Sequence, residues 1–187
     1  MDGDAPAGGA WNLDAENRRT WMGEPSVPPR PSFPPDAITR EAMDLVEERY
    51  PGSFGSLAGL DWPVSAADAD RAADHFFAKL LPSFGPFEDA MADDQPALFH
   101  SLLSPSLNLG HLDPLALCRR AEAAWRGKAA PLASVEGFVR QVLGWREFVR
   151  HVYEEHRGLY AGANALGADL PLPAWYWGER SSLRCLD

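Results

Sequence analysis

Apolar positions in the second half of the chain recur at a helical period. From Ser134 to about Glu155, residues Phe138, Val142, Trp145, Val149 and Val152 follow at steps of three and four, the spacing that gathers side chains on one face of a helix. Three further helices are marked by their ends. Asp36 can cap one that runs through Ile38, Met43, Leu45 and Val46 until Pro51-Gly52 stops it. Ser65, with Asp68 three residues on, opens a second that carries Phe76, Phe77, Leu80 and Leu81 and stops before Pro82. Asp113 as cap and Pro114 at the first helical position open a third, which ends around Trp125 with Gly127 beyond it. No strictly alternating run predicts a strand and no internal repeat is present, so the expected fold class is mainly α.

Residues 1–35 lack this periodicity. Pro25, Pro28, Pro29, Pro31, Pro34 and Pro35 fix backbone angles and remove amide donors, which predicts an extended, polyproline-like connector. It carries Trp11, Trp21 and Phe33, large side chains that need a surface to cover them, so the connector is expected to pack on something.

Composition narrows the class. Apolar residues make up 45% of the 187, with seven tryptophans and nine phenylalanines, enough for burial to offset chain entropy. Two cysteines, Cys118 and Cys185, make no disulfide framework, and a reducing cytoplasm is the expected compartment. No segment approaches the roughly 20 apolar residues that span a bilayer, and the first residues do not read as a secretion signal. The net charge of −10 argues against a simple electrostatic grip on nucleic acid. The imbalance is uneven, however. Residues 1–100 carry 18 acids and 7 bases, and residues 101–187 carry 9 acids and 10 bases, so any polyanion-facing surface belongs to the second half.

Candidate chemistry begins at His100-Ser101-Leu102-Leu103-Ser104-Pro105, where two hydroxyls three residues apart stand at an expected helix start. Hydroxyls and free amides there suit a phosphate; the plainer reading is helix capping by Ser101 and Ser104. Cys118 reads as a core residue. His151 and His156, five apart, are poorly spaced for a metal and read as solvated. No Gly-rich phosphate loop, nucleophile elbow or zinc motif is present.

Taken with its neighbours, the segment 100–110, HSLLSPSLNLG, resembles the flavin-phosphate stretch of the photolyase and cryptochrome family. Four other blocks resemble the iron–sulfur bacterial group of that family, in the family's order: Gly8-Gly9-Ala10-Trp11 through Asn17-Arg18, Phe87-Glu88-Asp89-Ala90-Met91, Gln141 through Arg150 with its Trp145-Arg146-Glu147-Phe148 core, and Leu172 through Trp177 followed by Cys185. The resemblance implies that residues 1–35 are an interdomain connector and 36–187 the N-terminal, incomplete part of a helical FAD-binding domain. It implies that Ser101, Leu102, Leu103 and Ser104, with His100, wrap the pyrophosphate and ribityl part of FAD, and that Phe87, Gln141 and Arg146 lie near the cofactor. Trp145 would border the pocket for a flipped lesion, Trp177 would relay electrons, and Cys185 would be one of four ligands of a [4Fe–4S] cluster.

The implied parent is a blue-light-dependent flavoprotein that repairs pyrimidine photoproducts, (6-4) photoproducts foremost, in UV-damaged DNA. It would be monomeric and carry an antenna chromophore in a preceding α/β domain. This stretch by itself is expected to be inactive. Two other readings stand beside it: a cryptochrome-type photoreceptor, and a helical interaction module without a cofactor in which every block is packing.

Overall fold

The computed structural model describes residues 3–183, and three of its helices begin at the predicted caps Asp36, Ser65 and Asp113. Helix α1 spans Ala37–Arg49, and the Asp36 carboxylate accepts from the Thr39 amide at 2.7 Å. Helix α2 spans Ala66–His75; Ser65 Oγ accepts from Asp68 N at 3.2 Å and donates to the Asp68 carboxylate at 2.9 Å. Among the described residues no strand is present, and the mainly α class holds.

Pro82 does not stop the second helix. A π turn at Phe76–Leu80 follows α2, then helix α3 at Leu81–Phe84 and a 3₁₀ turn at Gly85–Phe87. The Leu81 amide bonds the Phe76 carbonyl, five residues back. That wide turn resets the ladder, so Pro82 stands at the start of a fresh turn, where a missing N–H costs little.

Helix α4 spans Ser104–Asn108. Helix α5, Pro114–Arg126, is capped by Asp113, whose carboxylate accepts from Leu115 N at 2.8 Å, and Gly127 ends it. The long helix expected from Ser134 is two helices joined by a second π turn: α6 at Leu132–Val139, the turn at Arg140–Gly144, and α7 at Trp145–Glu155. The turn places an extra residue in the register. Phe138 and Val142 are buried, while Trp145 and Val149 are 59% exposed, so the five periodic positions do not share one buried face. Ser134 is no helix start either: it is buried inside α6, where its Oγ accepts from Gly85 N at 2.9 Å.

The described residues divide into two compact units, one holding Leu60–Arg150 with the segment ending at Pro35, the other Asp36–Gly59 with the residues from His151 onward. The first unit has the core. Phe76 meets Phe138 at a ring-centroid distance of 4.8 Å and Phe84 edge-on at 5.7 Å, and Ala69, Ala73, Ala121, Leu81, Leu103 and Leu117 belong to the same buried cluster. Truncating one such phenylalanine costs about 3–5 kcal/mol. Of the aromatic residues in 1–35, Phe33 is buried here and Trp21 packs against the core, but Trp11 is 73% exposed. The second unit has no buried residue among those described; α1 exposes Ile38, Leu45 and Val46, and a 3₁₀ turn at Ala174–Trp177 sets Tyr176 edge-on to Trp177 at 5.3 Å.

Candidate functional site

Two pieces of chain far apart in sequence meet in the first unit around a pocket of about 540 Å³. Its apolar wall is Phe84, Leu103, Leu107, Phe138 and Val142; its polar rim is His100, Ser101, Ser104, Gln141 and Arg146, with Glu88 and Asp89 at one side. Seven of the residues expected at the cofactor, His100, Ser101, Leu102, Leu103, Ser104, Gln141 and Arg146, line this single cavity.

Local backbone geometry explains how. Leu102 has φ +55°, a left-handed conformation that costs a branched residue about 1–2 kcal/mol and turns the chain sharply between the two serines. Leu103, buried, anchors the turn. Ser101 Oγ accepts from Leu103 N at 3.4 Å, and Ser104 is the first residue of α4 with no side-chain cap bond at that terminus. Neither serine caps the helix. On the facing wall, an undisturbed α-helix would hold residues five apart, such as Gln141 and Arg146, about 140° from each other; the wide turn at 140–144 narrows that angle.

The donors are only partly spent. Arg146 gives one of its five N–H groups to the Val142 carbonyl at 3.0 Å, and Gln141 gives one amide proton to Glu88 at 2.7 Å. Two hydroxyls, an amide, an imidazole and a guanidinium facing one cavity suit phosphate and polyol oxygens. Glu88 opposes an anion, but its charge is shared with Arg140, 3.9 Å away. Burial works against the Arg140 charge, yet its bond to Glu136 and the fields of Glu136, Glu88 and Asp14 outweigh this and raise its pKa.

The other expected residues stand elsewhere. Phe87 stacks on Phe99 at 5.3 Å and is not among the pocket's lining residues. Trp145 lies in a separate shallow recess with Arg140, Gly144 and Phe148, its ring edge-on to Phe148 at 6.0 Å. Trp177 belongs to the second unit, 63% exposed in its 3₁₀ turn. Cys185 lies outside the described residues. Cys118 is buried in α5, where desolvation pushes its thiol pKa up. Among the described residues no cluster of three or more His, Cys, Asp or Glu is placed to hold a metal.

Some residues that build the site carried no sequence signal of their own. Glu88 is part of the Phe87–Met91 block with no role implied for it, Phe138 reads as one position of a helix face, and nothing in the sequence singles out Phe84. A carboxylate directly after Phe84-Gly85-Pro86-Phe87 was the available hint.

Residues 1–62 match the family described as deoxyribodipyrimidine photo-lyase-related protein. Over 186 residues, all of this chain, it is 42% identical to a (6-4) photolyase of Agrobacterium fabrum, covering 37% of that protein. Over 68 residues, 36% of this chain, it is 40% identical to an uncharacterised protein of Acanthamoeba polyphaga mimivirus, covering 52% of it. The chain thus spans between about a third and a half of the length of these two relatives. A family match over residues 1–62 and 42% identity to a (6-4) photolyase along the whole chain make it similar to proteins of the photolyase-related family.

Proposed function

We propose that the pocket between the 100–104 segment and the turn at 140–144 receives the phosphate and ribityl part of FAD, in a photolyase-like protein that repairs UV photoproducts in DNA under blue light. One observation carries this: residues from two separate sequence blocks, each resembling a flavin-side block of the family, line one cavity. Ser101 and Ser104 offer hydroxyls, Gln141 an amide, and Arg146 a positive charge set against an apolar wall where a charge-assisted bond is strong. Leu103 and Phe138 keep water from the inner side. When bound and reduced, FAD supplies the light-driven electron that splits the lesion. The residues of this chain bind and orient it.

Residues 1–35 serve in this reading as the connector between domains and 36–187 as the first part of the flavin-binding domain. Trp145, half-exposed beside Phe148, offers an aromatic face to a flipped base, whose extrusion is cheapest when it is already damaged. Trp177, 5.3 Å between ring centroids from Tyr176, which in turn lies 6.4 Å from Trp175, is the proposed relay. A cubane cluster needs four thiolates and this chain has two cysteines, so Cys185 supplies at most one ligand and no step here depends on the cluster. The relative named a (6-4) photolyase favours repair over signalling and makes (6-4) photoproducts the first substrate to test.

The test is loss of (6-4) photoproduct from UV-irradiated DNA by the full gene product, under blue light and in the dark. Light-dependent loss that falls at least tenfold in Arg146→Ala supports the reading. Flavin binding without any light-dependent repair would turn it toward a photoreceptor.

A further inference from the structure

A buried polar chain joins the N-terminal segment to the pocket wall. Asn17, 1% exposed, donates from Nδ2 to Glu88 at 3.2 Å and to the Ala133 carbonyl at 3.1 Å. The other Glu88 oxygen accepts from the Gln141 amide at 2.7 Å, at the pocket rim. Gly137 makes room for both: a Cβ there would stand 2.5 Å from the Glu88 carboxylate and 2.9 Å from Asn17 Nδ2. Arg140, 3.9 Å from Glu88, supplies the compensating charge.

We infer that Glu88 is a positioning residue that holds Gln141 at the pocket rim, and that Asn17 acts through it, so the docked N-terminal segment sets the polar wall of the pocket. A carboxylate fixed from behind by a buried amide has one oxygen left to orient, and the partner on that oxygen is Gln141. Without Asn17 the carboxylate regains rotamer freedom, and Gln141 with it. What the pocket receives rests on the flavin reading; the relay from Asn17 to Gln141 does not.

The test is hydrogen exchange of the Gln141 side-chain amide by NMR in the 187-residue chain, the resonance being assigned by its loss in Gln141→Met. In the wild type these protons should exchange about tenfold more slowly than those of a free glutamine, as a bond to a charged acceptor implies. Glu88→Ala should abolish the protection and Asn17→Ala reduce it severalfold, while Glu88→Gln, which keeps one acceptor oxygen but loses the other and the charge, should retain only part of it. Asp113→Ala, a cap lost elsewhere, should leave it unchanged. Free exchange in the wild type, or full protection in Asn17→Ala, would overturn the inference. FAD added to the same samples separates the two claims: protection of Gln141 without flavin binding leaves the relay standing and removes the flavin reading.

Discussion

Single side chains decide two features of the first unit. Gly85 crosses α6 so closely that a Cβ would sit 2.7 Å from Ser134 Cα and 2.8 Å from its N, contacts with backbone that cannot swing away. Gly85→Ala is therefore expected to destabilise the unit by about 1–3 kcal/mol in urea denaturation, the range for overpacking. Asp61 clamps the end of the N-terminal segment, accepting from the Phe33 amide, from Ser32 at 3.1 Å and from Arg30 at 3.2 Å. The Phe33 bond does most to hold its pKa below the ordinary carboxylate value, against a smaller opposing effect of burial, with Ser32 and Arg30 adding to it. The folded pKa lies below the unfolded one, so the clamp's contribution is complete above about pH 4 and is lost as pH falls through the folded value. Asp61→Asn should flatten that part of the stability profile as pH falls below about 4, measured by urea midpoints.

Element starts were legible in the sequence because an end is a local event. Asp36, Ser65 and Asp113 each satisfy amides within three residues of themselves. The π turns at Phe76–Leu80 and Arg140–Gly144 were not legible, since the apolar pattern across them still steps by three and four. What a π turn changes is which of those positions face inward, and that is settled by packing: Phe138 and Val142 found the core and Trp145 did not. The pocket was half legible for the same reason. Its residues could be named from two blocks, but the wide turn that brings Arg146 to the rim, and the Asn17–Glu88 link behind Gln141, are long-range contacts. Caps predict a difference between elements. Removing one costs about 1 kcal/mol. Since α1 has no buried residue, Asp36→Ala should speed amide exchange in α1 alone, whereas Asp113→Ala, capping a helix with Leu117 and Ala121 in the core, should lower the global melting temperature by several degrees.

At the scale of the molecule, the core lies in one unit and the aromatic C-terminal region in the other. The first unit should protect its amides strongly, above all around Phe76, Phe138 and Leu117, while the residues of Asp36–Gly59 and those beyond His151 exchange fast; hydrogen exchange by mass spectrometry reads both at once. Trp145 and Phe148 in the first unit, and Ile38 and Trp177 in the second, are exposed apolar side chains of the kind that promotes self-association, so light scattering at rising concentration should show oligomers. The near-balanced charge of residues 101–187 favours an anionic ligand on their side of the pocket, while Glu88 and Asp89, from the acidic first hundred, oppose one at the other.

The central claim is that the 100–104 segment and the turn at 140–144 form the flavin-phosphate side of a photolyase-like pocket. Titration of the purified chain with FAD, followed by flavin fluorescence and calorimetry, tests it most directly. The account predicts reversible binding without stoichiometric retention on purification, weakened about tenfold or more by Arg146→Ala, as loss of a charge-assisted bond implies, and unaffected by Arg126→Ala on the exposed end of α5. Binding that is absent in the wild type, or equal in wild type and Arg146→Ala, would contradict it.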